Sequence, residues 1–158
     1  MNFDLGKRVS QQSPDFPDAF YRVAVKGLYV HEQKILMIHD FVRGSGVWEL
    51  PGGGLDFGES IAETLAREVR EEMGLEVTKV ADKPSYIWMN RNEHARGMEW
   101  FYVLVLAYQI DIKTLDAFTP TDECREIKFF SKTELEQAEE LNQQMRPFAG
   151  IFNPTDFV

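Results

Sequence analysis

The chain has 158 residues, of which 44% are hydrophobic and 27% charged, and its formal net charge is -9. These values fit one globular domain with a sizeable core and exclude an intrinsically disordered chain. The acidic excess is opposite to the basic surfaces that bind nucleic-acid backbones or anionic membranes, so we expect neither long nucleic acid nor a membrane as a partner. The single cysteine, Cys124, excludes an internal disulfide and favours a cytoplasmic location.

The first elements are an arm and two strands. Residues 1–19 are mostly polar and contain two prolines, which indicates an N-terminal arm without regular helix. β-branched and aromatic residues in 21–30 and in 34–39 predict two strands. A turn at residues 31–33 would join them as a hairpin.

A helix is predicted over residues 60–73, after a glycine triplet at 52–54. Ser60 and Glu63 form a capping box at its start, and Gly74 can adopt the left-handed conformation that ends a helix. The apolar residues of this segment recur every four positions, at Ile61, Leu65, Val69 and Met73.

The second half of the chain alternates strands with a helix. Strands are predicted within 76–90, at 98–112 and at 126–130, with a polar turn at 91–97. A capping box at Ser131 and Glu134 predicts a polar helix to about residue 142, and a tail, 143–158, holds three phenylalanines that we expect to pack on the body. This order, without repeat or linker, predicts one α/β domain over 1–158 with a mixed sheet between helices.

The residues that follow Gly52 match a known signature. It has a glycine, five arbitrary residues, a glutamate, seven arbitrary residues, and then Arg-Glu-apolar-any-Glu-Glu-any-Gly-apolar. Its positions here are Gly53, Glu59, Arg67, Glu68, Val69, Glu71, Glu72, Gly74 and Leu75. On the order of one chain in ten million would match by chance. The chain therefore resembles the Nudix hydrolase family, which implies an α/β/α sandwich, Mg2+ or Mn2+ as cofactor, and hydrolysis of a nucleoside diphosphate linked to another group.

The helix positions independently favour a metal site. At about 100° per residue, Glu68, Glu71 and Glu72 share one face, and Glu72 lies at the margin of the apolar arc. An unpaired buried carboxylate is unfavourable, like charges at i and i+4 repel, and anions near a helix C-terminus oppose the dipole. A hard divalent cation reverses all three effects. We expect Glu68 and Glu72 to bind metal, with Glu71 assisting through metal or water, while the spacing leaves the general base open.

Five further residues are expected to support this acidic face. By resemblance, the carbonyl of Gly52 is another metal ligand, and Arg67 bridges to Glu59 and holds the acidic residues in place. Gly53 leaves room for a close approach of the backbone to metal or phosphate. Gly74 closes the helix.

An acid outside the helix should complete the site, because the helix offers carboxylates from one side only. In relatives such an acid often comes from the loop before the strand that leads into the last helix. Glu123 lies there, and Asp122 and Glu126 are its competitors. Several aromatic residues are candidates to stack a base: Phe41, Trp48, Tyr86, Trp88 and Trp100.

Three other functions compete with the leading one. A hydrolase of oxidised nucleoside triphosphates is the first alternative, and a non-catalytic nucleotide-binding module is the second. An isoprenoid diphosphate isomerase is disfavoured, because the related enzyme uses a cysteine ahead of the signature and Cys124 follows it. For the leading function and the first two alternatives, the partner is a small nucleotide-type molecule. A sheet edge, the arm and the tail suggest a homodimer.

Overall fold

The computed structural model describes residues 19–41, 46–93 and 99–157. The helices are α1 (Ile61–Met73), α2 (Lys132–Gln137) and α3 (Arg146–Ile151). The strands are β1 (Ala19–Leu28), β2 (Val30–His31), β3 (Lys34–Asp40), β4 (Val47–Glu49), β5 (Gly52–Gly54), β6 (Val77–Val80), β7 (Tyr86–Glu93), β8 (Trp100–Ile112) and β9 (Cys124–Phe130).

Two sheets are built around β1 and β3. In the first, β1 pairs in parallel with β8 and antiparallel with β5, and β8 also pairs antiparallel with β6 and β7. In the second, β3 pairs antiparallel with β2, β4 and β9. The predicted mixed sheet is the first one, and the second sheet is an addition that the sequence analysis did not separate.

Helices cover the strands from two sides. On one side, three apolar residues of α1 pack with residues of β1 and β8, and the cluster includes Leu65, Val69, Met73, Val25 and Ile110. On the other side, α2 and α3 pack with β7 and β8, and the cluster includes Leu135, Phe148, Trp88 and Val105. The α/β/α arrangement predicted from the resemblance is confirmed.

The glycine triplet forms the short edge strand β5 beside β1. Gly52 pairs with Lys26 and has a φ of 124°, a conformation that residues with a side chain rarely adopt. A Cβ at Gly52 would also collide with the carbonyl oxygen of Val25. The glycine residues predict a close approach of the backbone here, but no strand was expected at 52–54.

The hairpin predicted for residues 21–39 is only partly correct. The two residues of β2 pair with β3 around a turn at Glu32 and Gln33, both of which have positive φ. The predicted first strand is divided between the sheets, because β1 ends at Leu28 after pairing with β8, whereas the carbonyl of Tyr29 accepts a hydrogen bond from Leu36 (2.9 Å). The predicted boundary of the N-terminal arm is also wrong by one residue, since Ala19 pairs with Trp100 and belongs to β1.

Two predicted boundaries in the second half are wrong. The turn at 91–97 begins too early, because residues 91–93 continue β7 and pair with β8, while 94–97 lie outside the described residues. The polar helix ends at Gln137 instead of near Asn142. The backbone of Trp48 competes for this segment, donating to the carbonyl of Glu140 (2.7 Å) and accepting from the N–H of Asn142 (2.9 Å).

The described part of the tail packs into the core. Phe148 and Phe152 are fully buried, and Phe157 packs against the same cluster, as expected from the sequence. Within the described residues, α1 is the longest helix, with 13 residues, and no helix is long and apolar enough to cross a membrane.

Candidate active site

The two ends of α1 fix the direction in which its acidic face points. Ser60 Oγ accepts from the N–H of Glu63 (3.2 Å), and the Glu63 carboxylate accepts from the N–H of Ser60 (2.7 Å). Gly74 ends the helix with a φ of 68°. The predicted capping box and left-handed stop are both confirmed, so the angular positions assumed for the glutamates apply.

Glu72 is a buried carboxylate at the centre of this site. Glu72 is only 5% exposed, and its Oε2 accepts a hydrogen bond from the N–H of Gly52 (3.1 Å). Burial raises the pKa of Glu72 well above its ordinary value; Lys26 and the Gly52 N–H oppose this, whereas Glu49 and Glu68 raise it further. The positive charge and the hydrogen bond that the protein provides near Glu72 therefore do not fully compensate the cost of burying its ionised form.

Arg67 ties the exposed side of the acidic face together. Its guanidinium binds Glu59 through two hydrogen bonds, of 2.7 and 3.0 Å, and also donates to Glu68 (2.9 Å) and Glu71 (3.3 Å). Glu59 accepts another hydrogen bond from Thr64 (2.9 Å), and the hydrogen bonds from Arg67 and Thr64 lower the pKa of Glu59. The bridge between Arg67 and Glu59 expected from the sequence is present.

Gly53 leaves the space that Glu68 occupies. A Cβ at Gly53 would collide with the carboxylate of Glu68, so the side chain of α1 lies directly against the backbone of β5. Gly52 and Gly53 thus contact two different glutamates of the same helix. The short glycine strand holds Glu68 and Glu72 side by side.

Lys26 is a site residue that the sequence analysis missed. Its Nζ is buried and donates to the carbonyls of Leu50 (3.1 Å) and Gly52 (2.9 Å), and it lies 3.5 Å from Oε1 of Glu49. Burial alone would lower the pKa of Lys26, but Glu49, Glu72 and other acids outweigh it, so the pKa is raised. A lysine within the apolar run of β1 was the available signal, because lysine is rarely buried without a partner.

Glu49 was also missed. Burial raises its pKa, Lys26 lowers it, and Asp40 raises it again. Its Oε2 accepts a hydrogen bond from the side-chain amide of Asn142 (2.8 Å). Glu49 and Asn142 are 93 residues apart in the chain, so no local pattern could have paired them.

Glu123 lies near the acidic face, in a loop attached to α1. The hydroxyl of Thr121 donates to the carbonyl of Glu72 (2.9 Å) and accepts from the N–H of Glu123 (3.2 Å). Burial raises the pKa of Glu123, and so do the charges of Glu71 and Glu68. The loop chosen from the sequence is therefore brought to the helix, with Glu123 in the field of its carboxylates.

The aromatic candidates separate into core and surface residues. Trp88 is buried, stacks on Phe148 (5.5 Å between ring centroids) and is part of the core. Trp48 is partly exposed and packs against Phe130 (5.0 Å). It lines an open groove of about 440 Å³ together with acidic residues of the segment after β9. Of Trp48 and Trp88, only Trp48 is accessible to a ligand from the surface.

The donor set fits a hard divalent cation that has other ligands as well. In the described residues, no three acidic, histidine or cysteine side chains form a closed metal cage by themselves. Mg2+ usually keeps several waters and is held by one or two carboxylates together with phosphate oxygens, which is what an open site permits. The buried charge of Glu72, with Glu68 beside it, provides the oxygen ligands that such an ion prefers.

We expect Glu72→Gln to stabilise the metal-free protein at neutral pH, because the substitution removes a buried carboxylate whose ionisation is unfavourable in the folded state. A carboxyl with a raised pKa binds its proton more tightly in the folded state than in the unfolded state. The destabilisation of the folded protein by ionised Glu72 is therefore absent below the ordinary pKa of 4.5 and develops as the pH rises above it. Urea unfolding in EDTA at pH 5 and pH 8 measures this. The variant's advantage should be larger at pH 8, and a loss of stability at pH 8 would contradict the burial argument.

Comparisons with known proteins agree with this geometry. A mouse (Mus musculus) protein named nucleoside diphosphate-linked moiety X motif 6 is 33% identical over 88 residues, which are 54% of this chain and 28% of that protein. The mouse 8-oxo-dGDP phosphatase NUDT18 is 43% identical over 53 residues, 32% of this chain and 16% of that protein. The chain thus matches less than a third of the length of either relative.

The fold has close counterparts among solved structures. The E. coli ORF135 protein superposes with a TM-score of 0.65 at 21% identity, covering 82% of this chain and 86% of that one. This likeness concerns the fold alone. A family model described as the NUDIX domain matches residues 20–149, which is most of the chain and includes all nine positions of the signature. The chain therefore belongs to the Nudix family.

Proposed function

We propose that the chain hydrolyses a diphosphate bond in a nucleoside diphosphate linked to another group, with Mg2+ or Mn2+ as cofactor. The observation that carries this proposal is the buried Glu72, which lies beside Glu68 and is under-compensated by the positive charges of the protein. The substrate class is supported by the mouse relative named for nucleoside diphosphate-linked moieties. A sugar nucleotide and ADP-ribose both belong to this class.

In this proposal, Glu68, Glu72 and the carbonyl of Gly52 hold the cation, and Glu71 assists directly or through water. The bound cation would offset the charge of the phosphate oxygens and make a nearby water more acidic. The backbone of β5 keeps Glu68 and Glu72 adjacent, so little rearrangement is needed on binding.

Arg67 acts as a positioning residue in this mechanism. Its guanidinium donates four hydrogen bonds to Glu59, Glu68 and Glu71, so most of its five donors are used within the protein. It restricts the rotamers of Glu68 and Glu71 and offsets part of their mutual repulsion. Glu59 in turn fixes Arg67 from the loop before α1, and Gly74 gives α1 its defined end.

Glu123 is our candidate for the base that deprotonates the attacking water. Its raised pKa makes it a stronger base than an ordinary glutamate, and its loop is anchored to α1 through Thr121. The carboxylates of α1 are occupied by Arg67, by the Gly52 N–H or by the proposed cation. A carboxylate from another element can therefore take the proton without giving up a ligand.

The runner-up is a hydrolase of oxidised nucleoside triphosphates; the mouse relative NUDT18 is named for a related oxidised nucleotide, the diphosphate 8-oxo-dGDP. A non-catalytic nucleotide-binding module is disfavoured because every acid of the signature is present. The cytoplasmic location and the homodimer stay predictions from the sequence.

We expect purified protein with Mg2+ to convert sugar nucleotides or ADP-ribose to a nucleoside monophosphate and a second phosphorylated product. A panel that also contains dinucleoside polyphosphates, 8-oxo-dGDP and 8-oxo-dGTP, with products identified by mass, separates the leading function from the runner-up. Glu72→Gln should lower kcat at least about 100-fold, because a cation ligand is lost. Glu76→Gln, an exposed change just beyond α1, is the control and should retain activity. Release of no phosphorylated product from any member would contradict the proposal.

We expect Glu123→Gln to reduce kcat by about 100-fold or more while KM changes little, because a general base contributes roughly that factor. Asp122→Asn and Glu126→Gln are the matched controls from the same loop and the following strand. The kcat of each variant should be measured across pH 6 to 9. A large loss for either control, with Glu123→Gln close to the unmodified protein, would assign the base to another residue.

A further inference from the structure

Lys26 and Glu72 are the two charged side chains that are buried among the described residues, and both bind Gly52. The carbonyl of Gly52 accepts from Lys26 Nζ at 2.9 Å, and the N–H of Gly52 donates to Glu72 Oε2 at 3.1 Å. The ammonium group therefore touches the oxygen that the proposed cation would use. No position of the family signature includes Lys26, so the signature leaves its contribution unassigned.

The hydrogen-bonding capacity of Lys26 is largely used within the protein. An ammonium group has three donors. Two bind the carbonyls of Leu50 and Gly52, and the ion pair with Glu49 at 3.5 Å accounts for the remaining interaction. This argues against a role in which Lys26 binds a substrate phosphate directly. Its charge, in contrast, acts on the whole acidic cluster.

We propose that Lys26 is an internal counter-ion that lowers the affinity of the substrate-free protein for a divalent cation at Glu72 and Gly52. This inference rests on the proposed metal site and specifies how that site is regulated. The ammonium group already supplies one positive charge to Glu49 and Glu72, and it repels a second cation placed beside it. It also competes for the carbonyl oxygen of Gly52.

The consequence is a site in which the cation and the substrate bind together. A diphosphate brings negative charge that offsets the repulsion between Lys26 and the cation. Without substrate, Lys26 keeps the buried carboxylates partly neutralised, which also reduces the desolvation penalty of Glu72. One lysine thus stabilises the empty site and weakens cation binding to it.

The test is the binding of Mn2+ alone to the substrate-free protein, measured by electron paramagnetic resonance of free Mn2+ at pH 8. We expect Lys26→Met, which keeps an unbranched side chain one heavy atom shorter, to lower the Kd at least about tenfold. Lys26→Gln keeps amide donors for the carbonyls and should change the Kd in the same direction, which covers the case in which Lys26→Met does not fold. Lys113→Met removes an exposed lysine, paired with Glu76, and should leave the Kd unchanged.

The outcomes separate the inference from the proposed function. If the unmodified protein binds Mn2+ and Glu72→Gln abolishes binding, the metal site stands. An unchanged or higher Kd in the folded Lys26 variants would then overturn the counter-ion role alone. If neither the unmodified protein nor the folded Lys26 variants bind Mn2+, or if Glu72→Gln binds it equally well, both the metal site and the role of Lys26 are refuted.

Discussion

The hydrogen bond between the N–H of Gly52 and the buried carboxylate of Glu72 is the interaction on which the site depends. It joins the edge strand β5 to the last turn of α1 and places an anion where water is largely excluded. Such a carboxylate is unfavourable unless positive charge compensates it. Lys26 provides part of that compensation, and the proposed divalent cation would provide the rest.

The surrounding residues restrict the positions that the glutamate side chains of α1 can adopt. Gly52 has a φ that favours glycine, and Gly53 has no side chain that would displace Glu68. Arg67 holds the outer glutamates of the same face from the solvent side. The acidic groups are therefore arranged between a rigid strand and an arginine clamp, which is the preorganisation that a hydrolytic site needs.

Local patterns were sufficient to predict α1 and its acidic face. Ser60, Glu63 and Gly74 specify the ends of the helix, and the helical period then places Glu72 at the apolar margin, where it is found buried. Contacts between distant segments were beyond these patterns. The pairing of Glu49 with Asn142 and the shortening of α2 by the backbone of Trp48 both depend on tertiary structure.

The roles of Lys26 and β1 illustrate the same limit. The apolar character of residues 21–30 predicted a strand, but only the sheet arrangement shows that the strand divides at Tyr29 and that Lys26 points to the carbonyl of Gly52. Glu123 could be selected because relatives in the family that the chain resembles often supply an acid from the loop before this predicted strand. Its approach to Glu71 and Glu68 became visible through the attachment of Thr121 to α1.

The most direct measurement of the central claim is the thermal stability of the protein during a titration with Mn2+. A cation that binds the folded protein alone stabilises it by about 2.7 kcal/mol at 100 times its Kd. We expect the Tm of the unmodified protein and of Glu76→Gln to keep rising with each tenfold increase in Mn2+ above the Kd, and the Tm of Glu72→Gln to stay nearly constant. An equal rise for Glu72→Gln would contradict the claim that Glu72 binds the cation.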